Sequence, residues 1–138
     1  MSVECVIVDA NIAFKCLLAG RGDLRERFGP GGHPQLFTPQ FLFVELFKHK
    51  ERLIQASGLA EADLLTGLRT LLNQLTFVHE ADIPVGTWIE AYRVCQGIDV
   101  NDTPYVALTL HLEGQFWTED NELKSGLRPR GFASFFEP

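Results

Sequence analysis

Apolar and polar positions along the chain fall into short blocks whose period changes from one block to the next. Val6-Ile7-Val8 closes a compact apolar run from Val3, of the length and β-branched content of a buried strand. The run stops at Asp9-Ala10-Asn11, after which Ile12, Phe14, Leu17 and Leu18 predict a short helix. Gly29-Pro30-Gly31-Gly32-His33-Pro34 is the strongest breaker cluster and predicts a loop. After Thr38-Pro39 the spacing turns helical. Leu42, Leu46, Leu53 and Ile54 share a face as far as Ser57-Gly58, where the glycine can end the helix. Leu64, Leu65, Leu68, Leu71, Leu72 and Leu75 give the clearest helical stripe. Thr76-Phe77-Val78-His79 predicts a short strand. Pro84 then opens a helix with Val85, Trp88, Ile89, Tyr92 and Cys95 on one stripe, closed by Gly97. A further helix spans 102–113, with Asn101, Asp102 or Thr103 as its cap and Pro104 in its first turn. Gln115-Phe116-Trp117-Thr118 predicts a strand, and a short helix follows near Leu123. Strands alternating with helices predict an α/β fold, a three-layer α/β/α domain with a mainly parallel central sheet.

Composition narrows the functional classes. The 138 residues, 46% hydrophobic with 11 phenylalanines, suit one domain spanning 1–138 and exclude wholesale disorder. No stretch approaches the roughly 20 apolar residues of a membrane-spanning helix. Met1-Ser2-Val3-Glu4-Cys5 lacks the basic flank and apolar run of a secretory signal. Three scattered cysteines, Cys5, Cys16 and Cys95, suit a reducing compartment, so a cytoplasmic location is expected. A net charge of −6 argues against bulk binding to a phosphate backbone, unless the acids themselves form a site.

The acids are placed to do so. In open parallel sheets, ligands gather beyond the carboxyl ends of the strands. Asp9 follows the first predicted strand, Asp120 follows the last, and Asp102 begins a helix. Glu45 sits inside the apolar segment Pro39–Phe47. A carboxylate among so many apolar neighbours costs free energy unless donors or a cation compensate it. Four acids from four segments can supply that compensation jointly by holding one or two hard divalent cations. Magnesium takes few carboxylates and keeps waters, leaving positions for a phosphate oxygen and an attacking water. Such a site hydrolyses a phosphodiester without a histidine or a covalent nucleophile. Taken singly, each acid has a plainer role: an Asx turn for Asp9, helix caps for Asp102 and Asp120, a solvent-facing position for Glu45. Other chemistries lack their residues. His33, His49, His79 and His111 have no zinc-like spacing, and no P-loop or nucleophile elbow is present.

Four segments taken in order resemble the PIN-domain family, and specifically the small VapC-like nucleases. Val8-Asp9-Ala10-Asn11 is similar to the family's opening acid with a small polar residue two places on. Thr38-Pro39 with Val44-Glu45-Leu46 is similar to its threonine/serine–proline stretch and helix glutamate. Residues 99–108, from Asp99 through Asp102 and Tyr105 to Leu108, resemble the segment carrying its third acid. Thr118-Glu119-Asp120 resembles its closing Thr/Ser-x-Asp motif. The chain departs from the family in a longer Gly/Pro-rich segment between Arg21 and Pro34, and in Thr109, where many relatives have a small residue.

The resemblance implies a metal-dependent ribonuclease with Asp9, Glu45, Asp102 and Asp120 as the acidic cluster and Mg2+ or Mn2+ as cofactor. It implies that Asn11 and Thr118 orient carboxylates or waters, and leaves Asp99 between joining the metals and capping the turn after Gly97. It further implies an RNA substrate, a small antitoxin protein as partner and a homodimer. Basic residues cluster at Arg21, Arg25 and Arg27, at Lys48, Lys50 and Arg52, and at Lys124, Arg128 and Arg130, which suits guidance of a phosphate backbone or simply three solvated faces. Lys15 follows the Asp9–Asn11 turn closely enough to reach a scissile phosphate, or to be an ordinary surface lysine. A non-catalytic RNA- or protein-binding module, a stand-alone RNA-processing nuclease and a small-molecule phosphatase remain compatible with the same residues.

Overall fold

The chain order of strands and helices is that of a parallel sheet wound in two directions from its first strand. The computed structural model describes residues 4–19, 23–28 and 34–138. The predicted loop of Gly29 to His33 and the basic residue Arg21 lie outside them. The elements are β1 (Cys5–Val8), α1 (Ala10–Leu18), β2 (Gln35–Pro39), α2 (Phe41–Lys48), α3 (Lys50–Ser57), α4 (Glu61–Gln74), β3 (Thr76–Val78), α5 (Val85–Cys95), α6 (Thr103–Leu112), β4 (Gln115–Trp117) and α7 (Asn121–Leu127). The strands are ordered β3-β2-β1-β4, and every pairing is parallel. The expected three-layer α/β/α fold with a parallel sheet is the observed one.

β1 is the central strand, and Val6, Ile7 and Val8 have no exposed surface, as a strand covered on both faces requires. Ile7 lies opposite Phe37 of β2 on one side and Phe116 of β4 on the other. Helix α6 packs on β1, β2 and β4 and is itself covered by α5, while α1 packs on α2, α3 and α4. The open edge of β4 is occupied by the C-terminal segment. Phe116 N–H donates to the Ser134 carbonyl at 2.7 Å, and Phe136 N–H donates to the Phe116 carbonyl at 2.9 Å. On the other side of β4, Gly114 lets the chain come close to β1: a Cβ there would stand 2.6 Å from the Cys5 carbonyl oxygen.

Three local differences from the sequence pattern have physical causes. β2 is a strand the hydrophobic pattern hides, because only Leu36 and Phe37 are plainly apolar and Pro39 ends it. The predicted helix over 42–57 is two helices broken at His49, whose backbone lies at φ −110°, ψ 12°. The His49 ring stands edge-on to Phe14, with centroids 5.6 Å apart. Leu42, Leu46 and Leu53 still reach the core from both pieces. In α5 the predicted stripe holds only in part: Cys95 is buried and Trp88 half-buried against the core, whereas Val85, Ile89 and Tyr92 are 73%, 46% and 48% exposed and Ala91, outside the stripe, is buried.

Because β1 to β3 run outward on one side and β4 returns to the other, the crossovers from β1 diverge at its carboxyl end. That divergence opens a crevice beyond the ends of β1 and β4, the usual ligand position in such sheets.

Candidate active site

The crevice is a polar cavity of about 210 Å³ lined by Asp9, Asn11, Glu45, Asp99, Asp102, Thr118 and Asp120, together with Lys48, His49 and Asn101. Each sequence-predicted site residue therefore reaches one place. Asp9 leaves the end of β1 in extended conformation and caps α1, its Oδ1 accepting from Ile12 N–H at 2.9 Å. Asp120 does the same for α7, accepting from Leu123 N–H at 3.1 Å. Thr118 ends β4, and its hydroxyl accepts from Asp120 N–H at 3.2 Å. Asp99 closes a short turn by accepting from Asn101 N–H at 3.0 Å. The plainer capping roles of Asp9, Asp120 and Asp99 are thus real, and each uses only one carboxylate oxygen in these bonds.

Asp102 differs. It stands at the N-cap position of α6, yet its side chain makes no capping hydrogen bond. Its carboxyl is pushed up to about 8, first by burial and then by the charges of Asp99, Asp9, Glu45 and Asp120. Asp9 is 3% exposed, and burial pushes its carboxyl up to about 6, against the lowering effect of hydrogen bonds from Thr118 and Ile12. Glu45, on the half-buried side of α2, is raised chiefly by burial, while Tyr105, His49 and Lys48 pull the other way. The cavity is thus a place where several carboxylates face one another in partial desolvation. Their ionised forms are costly until positive charge arrives.

Three residues at the cavity lie outside the acidic pattern. The Tyr105 hydroxyl donates to Glu45 Oε1 at 2.6 Å, fixing the glutamate from the opposite helix. The signal for it is chemical: α6 is buried along most of its length, and a buried tyrosine hydroxyl needs an acceptor. Lys48 and His49 put positive or neutral polar groups on the cavity wall, which the acidic pattern does not anticipate. A larger cavity of about 430 Å³, between α2, α3 and α4, is lined mainly by apolar residues such as Phe47, Ile54 and Leu65. It offers no comparable convergence of polar groups.

A sequence model of the PIN domain matches residues 7–132. The chain belongs to the PIN-domain family. The match runs from within β1 past α7, so it takes in every residue of the carboxylate cavity. A comparison with curated proteins finds none that matches. PIN domains are in general nucleases that act on RNA with divalent metal ions. The donors in this PIN domain fit such an ion. They are hard carboxylate oxygens, three of the carboxyls (Asp9, Glu45 and Asp102) having a raised pKa, supplemented by the amides and hydroxyl of Asn11, Asn101 and Thr118. Among the described residues, no group of three or more His, Cys, Asp or Glu side chains is arranged to hold a metal ion. Among the described residues, too, no helix is long and apolar enough to cross a membrane.

Proposed function

We propose that this PIN domain is a metal-dependent endoribonuclease that hydrolyses RNA phosphodiester bonds at the carboxylate cavity. One observation carries the reading: Asp9, Glu45, Asp99, Asp102 and Asp120 converge from four segments on a cavity at the carboxyl end of a parallel sheet. Asp9 and Asp102 are the principal ligands for Mg2+ or Mn2+, with Asp120 and Glu45 completing the set. A bound ion of this kind supplies a polarised water for attack and positive charge opposite the phosphate oxygens. Asp9 and Asp120 each spend one oxygen on a helix N–H, which fixes their rotamers. Tyr105 holds one oxygen of Glu45 and leaves the other to an ion or a water. Thr118 donates to Asp9, and Asn11 can orient a water from the rim, the supporting tasks that metal ligands need. Asp99 raises the pKa of Asp102 and thereby increases the advantage of a cation.

Within this reading the protein is a VapC-like toxin working in the cytoplasm as a homodimer, restrained by a small antitoxin that brings basic residues to the acidic cavity. That role has a genomic test: a small reading frame is expected beside this one, and its absence counts against the toxin assignment. Incubation of a mixed RNA pool with and without Mg2+ or Mn2+, followed by mapping of cut ends, tests the reading together with Asp9→Asn. Wild type is expected to cut only with metal. Uncut RNA, or equal cutting by Asp9→Asn, refutes it.

A further inference from the structure

A second cavity adjoins the first. It measures about 390 Å³, within the range of small-ligand sites, and is lined by Asn11, Phe14, Lys15, Leu18, Arg52, Glu119 and Asp120. Asn11 and Asp120 also line the carboxylate cavity, so the two spaces are contiguous. Phe14 touches His49 of the first cavity edge-on and forms part of the wall between them. Its cations come from different elements, Lys15 from α1 and Arg52 from α3. Between them lie the half-buried Phe14 ring and Leu18, which is 39% exposed.

The geometry points to this cavity as a subsite for the RNA nucleotide next to the scissile phosphate, with Lys15 and Arg52 as ligands of its phosphate. The inference rests on the ribonuclease reading above. Two cations over an apolar floor match the two halves of a nucleotide, an anionic phosphate and an apolar sugar–base face. Arg52 is exposed, and a guanidinium grips a phosphate through two parallel hydrogen bonds. Lys15 pairs with Glu119, but the two side chains are 53% and 38% exposed. An exposed pair of that kind contributes little net, so a phosphate can take the place of Glu119 at Lys15. Glu119 adjoins Asp120 in sequence, so this exchange occurs at the seam between subsite and carboxylates. The strand is thereby held by cations on one side of the cut, while the acids act at the cut itself.

The test uses the whole chain and a short fluorescein-labelled single-stranded RNA. Binding is read by anisotropy across a KCl series, and cleavage by initial rates with Mg2+. Lys15→Gln and Arg52→Gln are each expected to weaken binding roughly tenfold. Each should also reduce the slope of log K against log salt by about 0.7, with the cleavage loss carried by KM. Arg69→Gln, an exposed charge on α4 that lines neither cavity, serves as the charge control. Glu119→Gln is expected to tighten binding several-fold, a gain that misfolding cannot produce. If wild type cleaves and the Lys15 and Arg52 variants match the Arg69 control, the subsite is refuted and the nuclease reading stands. If wild type binds RNA with these dependences but never cleaves it, the subsite stands and the nuclease reading falls. Absence of any RNA binding by wild type overturns both.

Discussion

Replacing Asp9 by asparagine should make the metal-free protein more stable while removing its cleavage activity. Asn keeps the shape and the capping oxygen, so the bond from Ile12 N–H at 2.9 Å can persist. What it removes is a charge that is 3% exposed and faces Glu45 and Asp120. The Asp9 carboxyl is raised from 3.8 to about 6. At about 1.4 kcal/mol per pH unit, that difference opposes folding by roughly 3 kcal/mol once the pH exceeds both values. A raised folded-state pKa means the proton is held more tightly in the native protein. Stability from this group is therefore fully present below pH 3.8 and is lost as the pH rises through about 6. Local rearrangement and residual denatured-state structure trim the effect, so Asp9→Asn is expected to gain about 1–3 kcal/mol at pH 8 and almost nothing at pH 4. Urea unfolding in EDTA at both pH values measures it. A destabilised variant at pH 8, or an equal change at both, refutes the account of Asp9 as a buried charge that opposes folding. Added Mn2+ should reverse the order, since ligand stabilisation favours the chain with the full acid set.

Tyr105→Phe deletes the 2.6 Å bond to Glu45 but keeps the ring stacked on Phe116, so a loss of about 1–2 kcal/mol in urea unfolding is expected. Metal-dependent cleavage should fall by roughly 10-fold or more, as happens when a ligand loses its orienting partner. Because Asp102 is raised to about 8, metal uptake at pH 7 should displace about one proton from it. Titration calorimetry in buffers of different ionisation enthalpy counts that proton, and a buffer-independent heat would contradict the shift. Two glycines should respond in opposite directions in thermal unfolding. Gly114→Ala puts a Cβ 2.6 Å from the Cys5 backbone oxygen and 2.8 Å from Ile7 Cδ1, and is expected to cost about 1–3 kcal/mol. Gly86→Ala, in the first turns of α5 with nothing within 4 Å, should gain about 0.5–1 kcal/mol.

The sequence made the acids easier to place than the sheet. Asp9 and Asp120 are legible because each terminates an apolar run, and a turn residue after a strand must lie at the sheet's carboxyl edge. Glu45 is legible by its cost, an acid inside an apolar segment. β2 is not legible, since a five-residue strand with Leu36 and Phe37 between polar and proline positions carries no period. The break at His49 is hidden for a related reason: Leu42, Leu46 and Leu53 keep one face buried through it, so the apolar pattern runs on while the axis turns. The α5 stripe fails differently. Cys95 is buried as the stripe requires, but Val85, Ile89 and Tyr92 are exposed and Ala91 is buried in their place, a small residue that looks neutral in a hydrophobic pattern.

Net charge gains meaning only once it is located. The chain carries −6 overall, and four of those charges, if ionised, belong to Asp9, Glu45, Asp102 and Asp120 in one cavity of about 210 Å³. Burial first, and then their mutual charge, raise the carboxyls of Asp9 and Asp102 and keep part of that charge protonated near neutral pH. Bulk acidity argues against nucleic-acid binding only when it is spread over the surface that the phosphates approach. Here the acids are drawn together beyond β1 and β4, while Lys48 lines their cavity and Lys15 and Arg52 line its neighbour. A divalent ion taken into the acids would cancel the repulsion that a phosphate meets there and leave those cations unopposed. The same four residues that make the metal-free chain a poor partner for RNA are therefore the ones that, once charged with metal, give RNA a reason to bind.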